Sequence, residues 1–166
     1  METLNPTGSV KGRMAVNMVK RTEAAGLLKS GNTIVESASG NMGLGLAMTA
    51  AVKKYRCIFT IPDKMSQEKI DMLKTFGAEV MVAPTDLDHH HPENYVQVAK
   101  RIASKIEGAL YTDQYCNINN PEAHDLTTGP EIWEATDGEI DWFVAGIGTV
   151  APFLGTKNIS KKYLRY

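Results

Sequence analysis

The stretch Thr33-Ile-Val-Glu-Ser-Ala-Ser-Gly-Asn-Met-Gly43 decides the fold class. Its first four residues, bounded by Gly31 and a turn of small residues, read as a short strand. Asn41 to Tyr55, rich in Ala, Leu and Met, reads as a helix. Strand, small-residue loop and helix are the opening of a strand–helix–strand unit, and the closing strand follows in Cys57-Ile-Phe-Thr-Ile61, stopped by Pro62-Asp63.

The alternation continues outward. Glu79-Val-Met-Val82 and Trp142-Phe-Val-Ala145 are further strand candidates, and Ala109-Leu-Tyr111 is a weaker one. These runs are apolar throughout rather than alternating, as expected of strands covered on both faces. Helices are expected over residues 11–29, 66–76, 96–106 and 121–135, the second opening with a capping box at Ser66-Gln-Glu-Lys69. Strands alternating with helices imply right-handed crossovers and a mostly parallel, doubly wound α/β sheet.

Composition narrows the classes. The chain has 166 residues and a mass of 18.2 kDa, enough for one domain or part of one. Its 18 basic and 19 acidic side chains leave a net charge of −1, unlike the basic footprint of a nucleic-acid-binding surface. Cys57 and Cys116 are too few for a disulfide scaffold and read as reduced thiols. No signal peptide is visible, and the weakly polar run from Phe143 to Gly155 falls short of the ~20 residues of a membrane helix. A cytoplasmic protein without nucleic-acid or membrane partners is the expectation.

In such sheets ligands bind where strands end and helices begin. Two loops there stand out: Ser37 to Gly43, and Asn5-Pro-Thr-Gly-Ser-Val-Lys11 at the start of the first helix. Ser37 to Gly43 sets small residues and backbone N–H groups at a helix N-terminus, where a carboxylate or phosphate is held; an ordinary turn capped by Ser39 or Asn41 fits the same residues. Lys11 reads either as a solvated lysine or as an amine whose proton affinity is lowered at a helix start, suiting nucleophilic chemistry. No dinucleotide or P-loop glycine motif is present.

Taken together, the loops resemble a known family. Asn5-Pro-Thr-Gly-Ser-Val-Lys-Gly-Arg13 is similar to the pyridoxal-phosphate lysine motif of the cystathionine β-synthase and cysteine synthase family, and Ser39-Gly-Asn-Met-Gly43 to its S-G-N-T-G substrate loop. The likeness continues through Pro62-Asp-Lys-Met-Ser66, Phe76-Gly-Ala-Glu79, Asp113-Gln-Tyr115, Asn120-Pro-Glu-Ala-His124, Thr127-Thr-Gly-Pro-Glu-Ile-Trp133 and Ala145-Gly-Ile-Gly-Thr149.

The resemblance implies a tryptophan-synthase-β-like fold, of which residues 1–149 form the N-terminal part of the catalytic domain. It implies pyridoxal 5'-phosphate as cofactor, with Lys11 as the Schiff-base and catalytic residue and Asn41, Gly146, Gly148 and Thr149 as further cofactor contacts. Ser39, Gly40, Asn41, Met42 and Gln114 would hold the amino-acid substrate. The implied reaction is β-replacement on serine or O-acetylserine with a thiol or sulfide, as a lyase or transferase of cysteine biosynthesis and transsulfuration. Family members are usually homodimers. A non-catalytic remnant that binds a full-length subunit stays open as an alternative, as does, more remotely, a nucleotide-binding module without cofactor chemistry.

Three departures bear on activity. Met42 stands for the threonine of S-G-N-T-G and Gly12 for an aspartate after the lysine. The family's phosphate loop, G-T-G-G-T, reads Gly148-Thr-Val-Ala-Pro152. Val150 and Ala151 bring side chains where glycines admit a phosphate, and Pro152 lacks an N–H and a hydroxyl. Losing two or three charge-assisted hydrogen bonds there costs roughly 3–9 kcal/mol. The chain is expected to be truncated at both ends relative to the family. One lost base in a gene encoding G-T-G-G-T-I-S-G yields Gly148-Thr-Val-Ala-Pro-Phe-Leu-Gly155, so residues 150–166 are expected to be an out-of-frame reading.

No metal is expected at His89-His-His91, a Pro-flanked loop with no carboxylate or cysteine cluster beside it. His124 and Asp125 read as the start of a helix rather than an acid–base pair, and Cys57 as a buried apolar residue.

Overall fold

The computed structural model describes residues 1–38 and 40–144. After a 3-10 turn at Glu2–Leu4, the elements run α1 (Lys11–Ala24), β1 (Thr33–Glu36), α2 (Asn41–Lys53), β2 (Arg56–Pro62), α3 (Gln67–Thr75), β3 (Glu79–Ala83), α4 (Tyr95–Lys105), β4 (Leu110–Tyr111), α5 (Asn119–Ala123) and α6 (Gly129–Ala135). A π-helical turn, His124–Thr128, joins the last two helices. The four strands form one parallel sheet in the order β3-β2-β1-β4.

Alternate side chains of these strands point to opposite faces, and each face has its own cover. Ile34, Phe59 and Ile61 pack with Met14, Met18, Leu46 and Leu73 of α1, α2 and α3. Val35 and Ile58 pack with Ala99, Ile102 and Ile106 on and after α4. The sheet is therefore doubly wound, and burial on both sides explains the continuous apolar runs of β1 and β2, whereas the edge strand β3 leaves Met81 and Val82 exposed.

Four expectations need correction. α1 stops at Ala24, not Lys29, because Gly26 adopts φ +71 and the Leu27 N–H donates back to the Thr22 carbonyl at 3.1 Å, a left-handed C-cap. Ser66 does cap α3, but without a side-chain hydrogen bond: the third helical residue, Lys69, has no acceptor to complete a capping box. The helix expected over 121–135 runs on without a break but widens into the π turn between α5 and α6, where the Thr127 hydroxyl donates to the Ala123 carbonyl at 2.7 Å. Trp142 to Val144 are not a strand; Ala145 lies outside the described residues.

Candidate active site

From β1 the chain steps outward through β2 to β3, then crosses to the other side of β1 to form β4. The loops leaving the C-terminal ends of β1 and β4 therefore diverge, and the crevice between them is the topological switch point where open α/β sheets take ligands. Its described walls are Ser37, Ala38 and Gly40 on one side and residues 112–118 on the other.

A close helix crossing brings the Asn5–Lys11 loop to this end. A Cβ on Gly45 of α2 would lie 2.9 Å from the Ala15 Cβ, 3.2 Å from the Gly12 Cα and 3.3 Å from the Lys11 carbonyl oxygen. With no side chain at Gly45, α1 meets α2 backbone to backbone, and Lys11 lies against α2 about one turn from its first residue, Asn41. Gly43 serves the same loop, since a Cβ there would lie 2.8 Å from the Ala38 carbonyl oxygen. Thr7, Gly40, Asn41, Glu68, Lys69 and Met72 are among the residues lining one cavity of about 200 Å³, so the two loops singled out in the sequence share a cleft.

Lys11 is half-buried at the first position of α1, where the Ser9 hydroxyl accepts its backbone N–H at 3.3 Å. Burial pushes its amine below the ordinary lysine value, and no described carboxylate pairs with it. A part-desolvated amine without a counter-ion is more often neutral, the state needed to attack an aldehyde.

α2 begins at Asn41 with Gly40 as N-cap, its first-turn N–H groups directed out of the helix. Asn41 is exposed, whereas Met42 is buried with 1% of its surface accessible and packs into the core. Any contribution of Met42 to a bound carboxylate is thus from its backbone. Gln114 is buried beyond β4 with its backbone pinned on both sides: its N–H donates to Glu36 at 3.1 Å and its carbonyl accepts from the Asn120 amide at 2.6 Å. No described residue bonds its side-chain amide. Ser39, Gly146, Gly148 and Thr149, and the residues from 150 onward, lie outside the described residues.

Two residues have roles the sequence reading did not assign. Glu36, 1% exposed at the end of β1, accepts from the Ser37 N–H at 2.7 Å, the Ser37 hydroxyl at 3.2 Å, the Thr112 hydroxyl at 2.6 Å and the Gln114 N–H. Burial pushes its carboxyl above the ordinary value, and these four donors oppose the rise. An acid closing an otherwise apolar strand was the available signal. His124 is fully buried, with Nδ1 at 2.9 Å from the Thr128 hydroxyl and Nε2 without a partner among the described residues. Burial, aided by the cations of Arg13 and Lys11, pushes its pKa down to about 4, so the imidazole is uncharged. The ring's hydrogen-bond partner is Thr128 rather than Asp125.

His89 to His91 lie in an exposed loop, and no cluster of three or more metal-binding side chains occurs among the described residues. Cys57 is buried, its thiol pushed up by burial and the nearby Glu36, whereas Cys116 is exposed.

A family model described as pyridoxal-phosphate dependent enzyme matches residues 1–162. The chain belongs to this family. It is 49% identical over 148 residues to a cystathionine beta-synthase from Apis mellifera, covering 89% of this chain and 29% of that protein. It is 44% identical over 161 residues to cysteine synthase 1 from Neurospora crassa, covering 97% of this chain and 43% of that one. A crystal structure of a hydrogen sulfide-producing enzyme from Fusobacterium nucleatum superposes with a TM-score of 0.89 at 34% identity, over 98% of this chain and 52% of that chain. O-ureido-L-serine synthase likewise superposes at 0.89, with 37% identity, over 97% and 50%. The chain thus spans less than half the length of these curated relatives and about half of these solved structures. The family's cofactor, pyridoxal phosphate, needs an amine for its aldehyde, and Lys11, half-buried, unpaired among the described residues and with its backbone against α2, fits that part of the group.

Among the described residues no helix is long and apolar enough to cross a membrane.

Proposed function

We propose that this chain is the N-terminal part of the catalytic domain of an enzyme performing pyridoxal-phosphate-dependent β-replacement on serine or O-acetylserine, in cysteine or cystathionine synthesis. The observation that carries this reading is the half-buried Lys11, without a counter-ion among the described residues, whose backbone lies against α2 about one turn from Asn41 while Thr7 of its loop shares a cleft with Asn41. Lys11 would bind the cofactor's aldehyde and move the proton from the substrate's α-carbon. Asn41 would orient the ring, and Gly146, Gly148 and Thr149 the phosphate. Ser39, Gly40 and the backbone at Met42 would hold the substrate carboxylate, with the free Gln114 amide assisting. The bound cofactor supplies an electron sink for the carbanion formed at the α-carbon.

Borohydride trapping followed by peptide mapping tests this. A pyridoxyl adduct on Lys11, absent from Lys11→Ala, is expected; a folded sample that traps no adduct ends the enzymatic reading of this chain.

Val150, Ala151 and Pro152 favour a second reading, a non-catalytic chain that associates with a full-length subunit. Such a chain would co-elute with an active homologue without trapping cofactor itself. Two free cysteines support a reducing, cytoplasmic setting, and the family resemblance supports homodimers.

A further inference from the structure

Glu36, at the end of β1, sits between the two walls of the crevice at the switch point, and its two oxygens serve different walls. Oε1 accepts from the N–H and hydroxyl of Ser37, the first residue of the loop that leads to α2. Oε2 accepts from the Thr112 hydroxyl and the Gln114 N–H, in the loop beyond β4. The strands β1 and β4 pair only over Ile34–Leu110 and Val35–Tyr111, extended by the Thr112 N–H to the Val35 carbonyl at 3.2 Å. Past that point nothing in the ladder ties the walls together. The Ser37 hydroxyl, 2.9 Å from the Tyr111 hydroxyl, gives the bridge a further foothold on the β4 side.

The loop it grips is otherwise unsupported by regular structure. Asp113 holds φ +47, a left-handed conformation rare for a residue with a side chain, directly before Gln114. The Glu36 bond to the Gln114 N–H and the Asn120 bond to the Gln114 carbonyl fix the peptide groups on both sides of that side chain, while leaving its amide free.

We propose that Glu36 is a positioning residue: it clamps the loop after β1 to the loop after β4 and so aims the Gln114 amide at a carboxylate seated on the first turn of α2. Gln114 as a substrate contact rests on the function proposed above; the clamp itself rests on the four hydrogen bonds. The carboxylate is needed rather than a neutral amide of the same shape. Four donors converge on it, two of them backbone N–H groups, one at each oxygen, and neither can turn into an acceptor. Glutamine would set its NH₂ against one of them whichever way it is flipped. Aspartate keeps the charge but is one methylene short of spanning both walls.

The test uses the full chain loaded with pyridoxal phosphate, L-serine as the probe, and the variants Glu36→Gln, Glu36→Asp, Gln114→Ala and Glu36→Gln/Gln114→Ala. In Glu36→Gln, borohydride trapping at Lys11 stays at the wild-type level while serine affinity, read from the cofactor's absorbance, falls about tenfold or more. Gln114→Ala loses a similar factor, and the double variant loses no more than Gln114→Ala alone, as expected of residues acting through one another. Amide exchange at Ser37 or Gln114 accelerates about tenfold or more, while Phe59 and Ile61 in β2 keep their protection. If Glu36→Gln does not fold, Glu36→Asp is read for the same effects. Wild-type serine affinity in the folded variant, additive losses in the double variant, or equal acceleration across β2 overturns the proposal. Should the wild type trap no cofactor, the proposed function fails by itself; the clamp is then judged on exchange alone, and unchanged exchange at both Ser37 and Gln114 overturns it.

Discussion

His124 is an imidazole kept neutral in the core, and its effect on stability has a definite sign. Its pKa falls from an ordinary 6.5 to about 4 on folding, so between those values the unfolded chain binds the proton and the folded chain does not. Stability therefore declines as pH drops from about 6.5 towards 4, with a slope approaching but not exceeding about 1.4 kcal/mol per pH unit. Glu36 acts oppositely, because its raised carboxyl takes up a proton in the folded state first. Comparing urea midpoints of wild type and His124→Gln isolates the histidine: the variant's acid limb should be flatter over that window, and parallel curves would refute the assignment. The cysteines give a simpler check. Maleimide is expected to label exposed Cys116 in the native protein and buried Cys57 only in denaturant, with mass spectrometry of the peptides as the readout.

At the scale of elements, the α1–α2 crossing decides how closely the start of α1, with Lys11, lies against α2. Gly45→Ala puts a methyl 2.9 Å from the Ala15 Cβ and 3.3 Å from the Lys11 carbonyl oxygen, so the helices must part. A loss of about 1–3 kcal/mol is expected in urea unfolding, together with reduced trapping at Lys11. Adding Ala15→Gly removes the shortest contact and should restore part of the stability; no recovery would mean that the helices do not meet at this point. The strands β1 and β2 were readable from sequence because both faces of each are buried, leaving continuous apolar runs; the edge strand β3 shows the same wording although Met81 and Val82 are exposed. The C-terminal end of α1 was overextended because Leu28 keeps helical spacing beyond Gly26, although it reaches the core from the turn. The apolar residues Trp142 to Val144 lack a partner strand among the described residues, and composition alone cannot separate a strand from an exposed apolar segment. Lys11, Asn41 and Gln114 were singled out through motif wording. Glu36 and His124 escaped because their importance comes from burial and from partners at sequence separations of 76 and 78 for Glu36, and from cations on α1 for His124.

At the scale of the whole molecule, the proposed function has the described residues supply an amine, a helix N-terminus and the Glu36 crevice, and it assigns the phosphate side to residues 146–152. There the sequence departs from its family most sharply, and the chemistry of the departure is specific. Phosphate oxygens are bound by closely approaching backbone N–H groups, which glycine permits, a Cβ obstructs and proline cannot supply. We propose that Val150, Ala151 and Pro152 result from a one-base shift in the coding DNA, which predicts that Val150→Gly/Ala151→Gly/Pro152→Thr strengthens cofactor binding without touching Lys11. Regaining even two charge-assisted hydrogen bonds corresponds to about 10²-fold or more in affinity. An absorbance titration with pyridoxal phosphate measures it, and pyridoxal without its phosphate is the control: its affinity should change little in the same variant. If both ligands gain equally, the substitutions act on folding rather than on phosphate, and if neither gains, residues 150–152 are not where the phosphate is held.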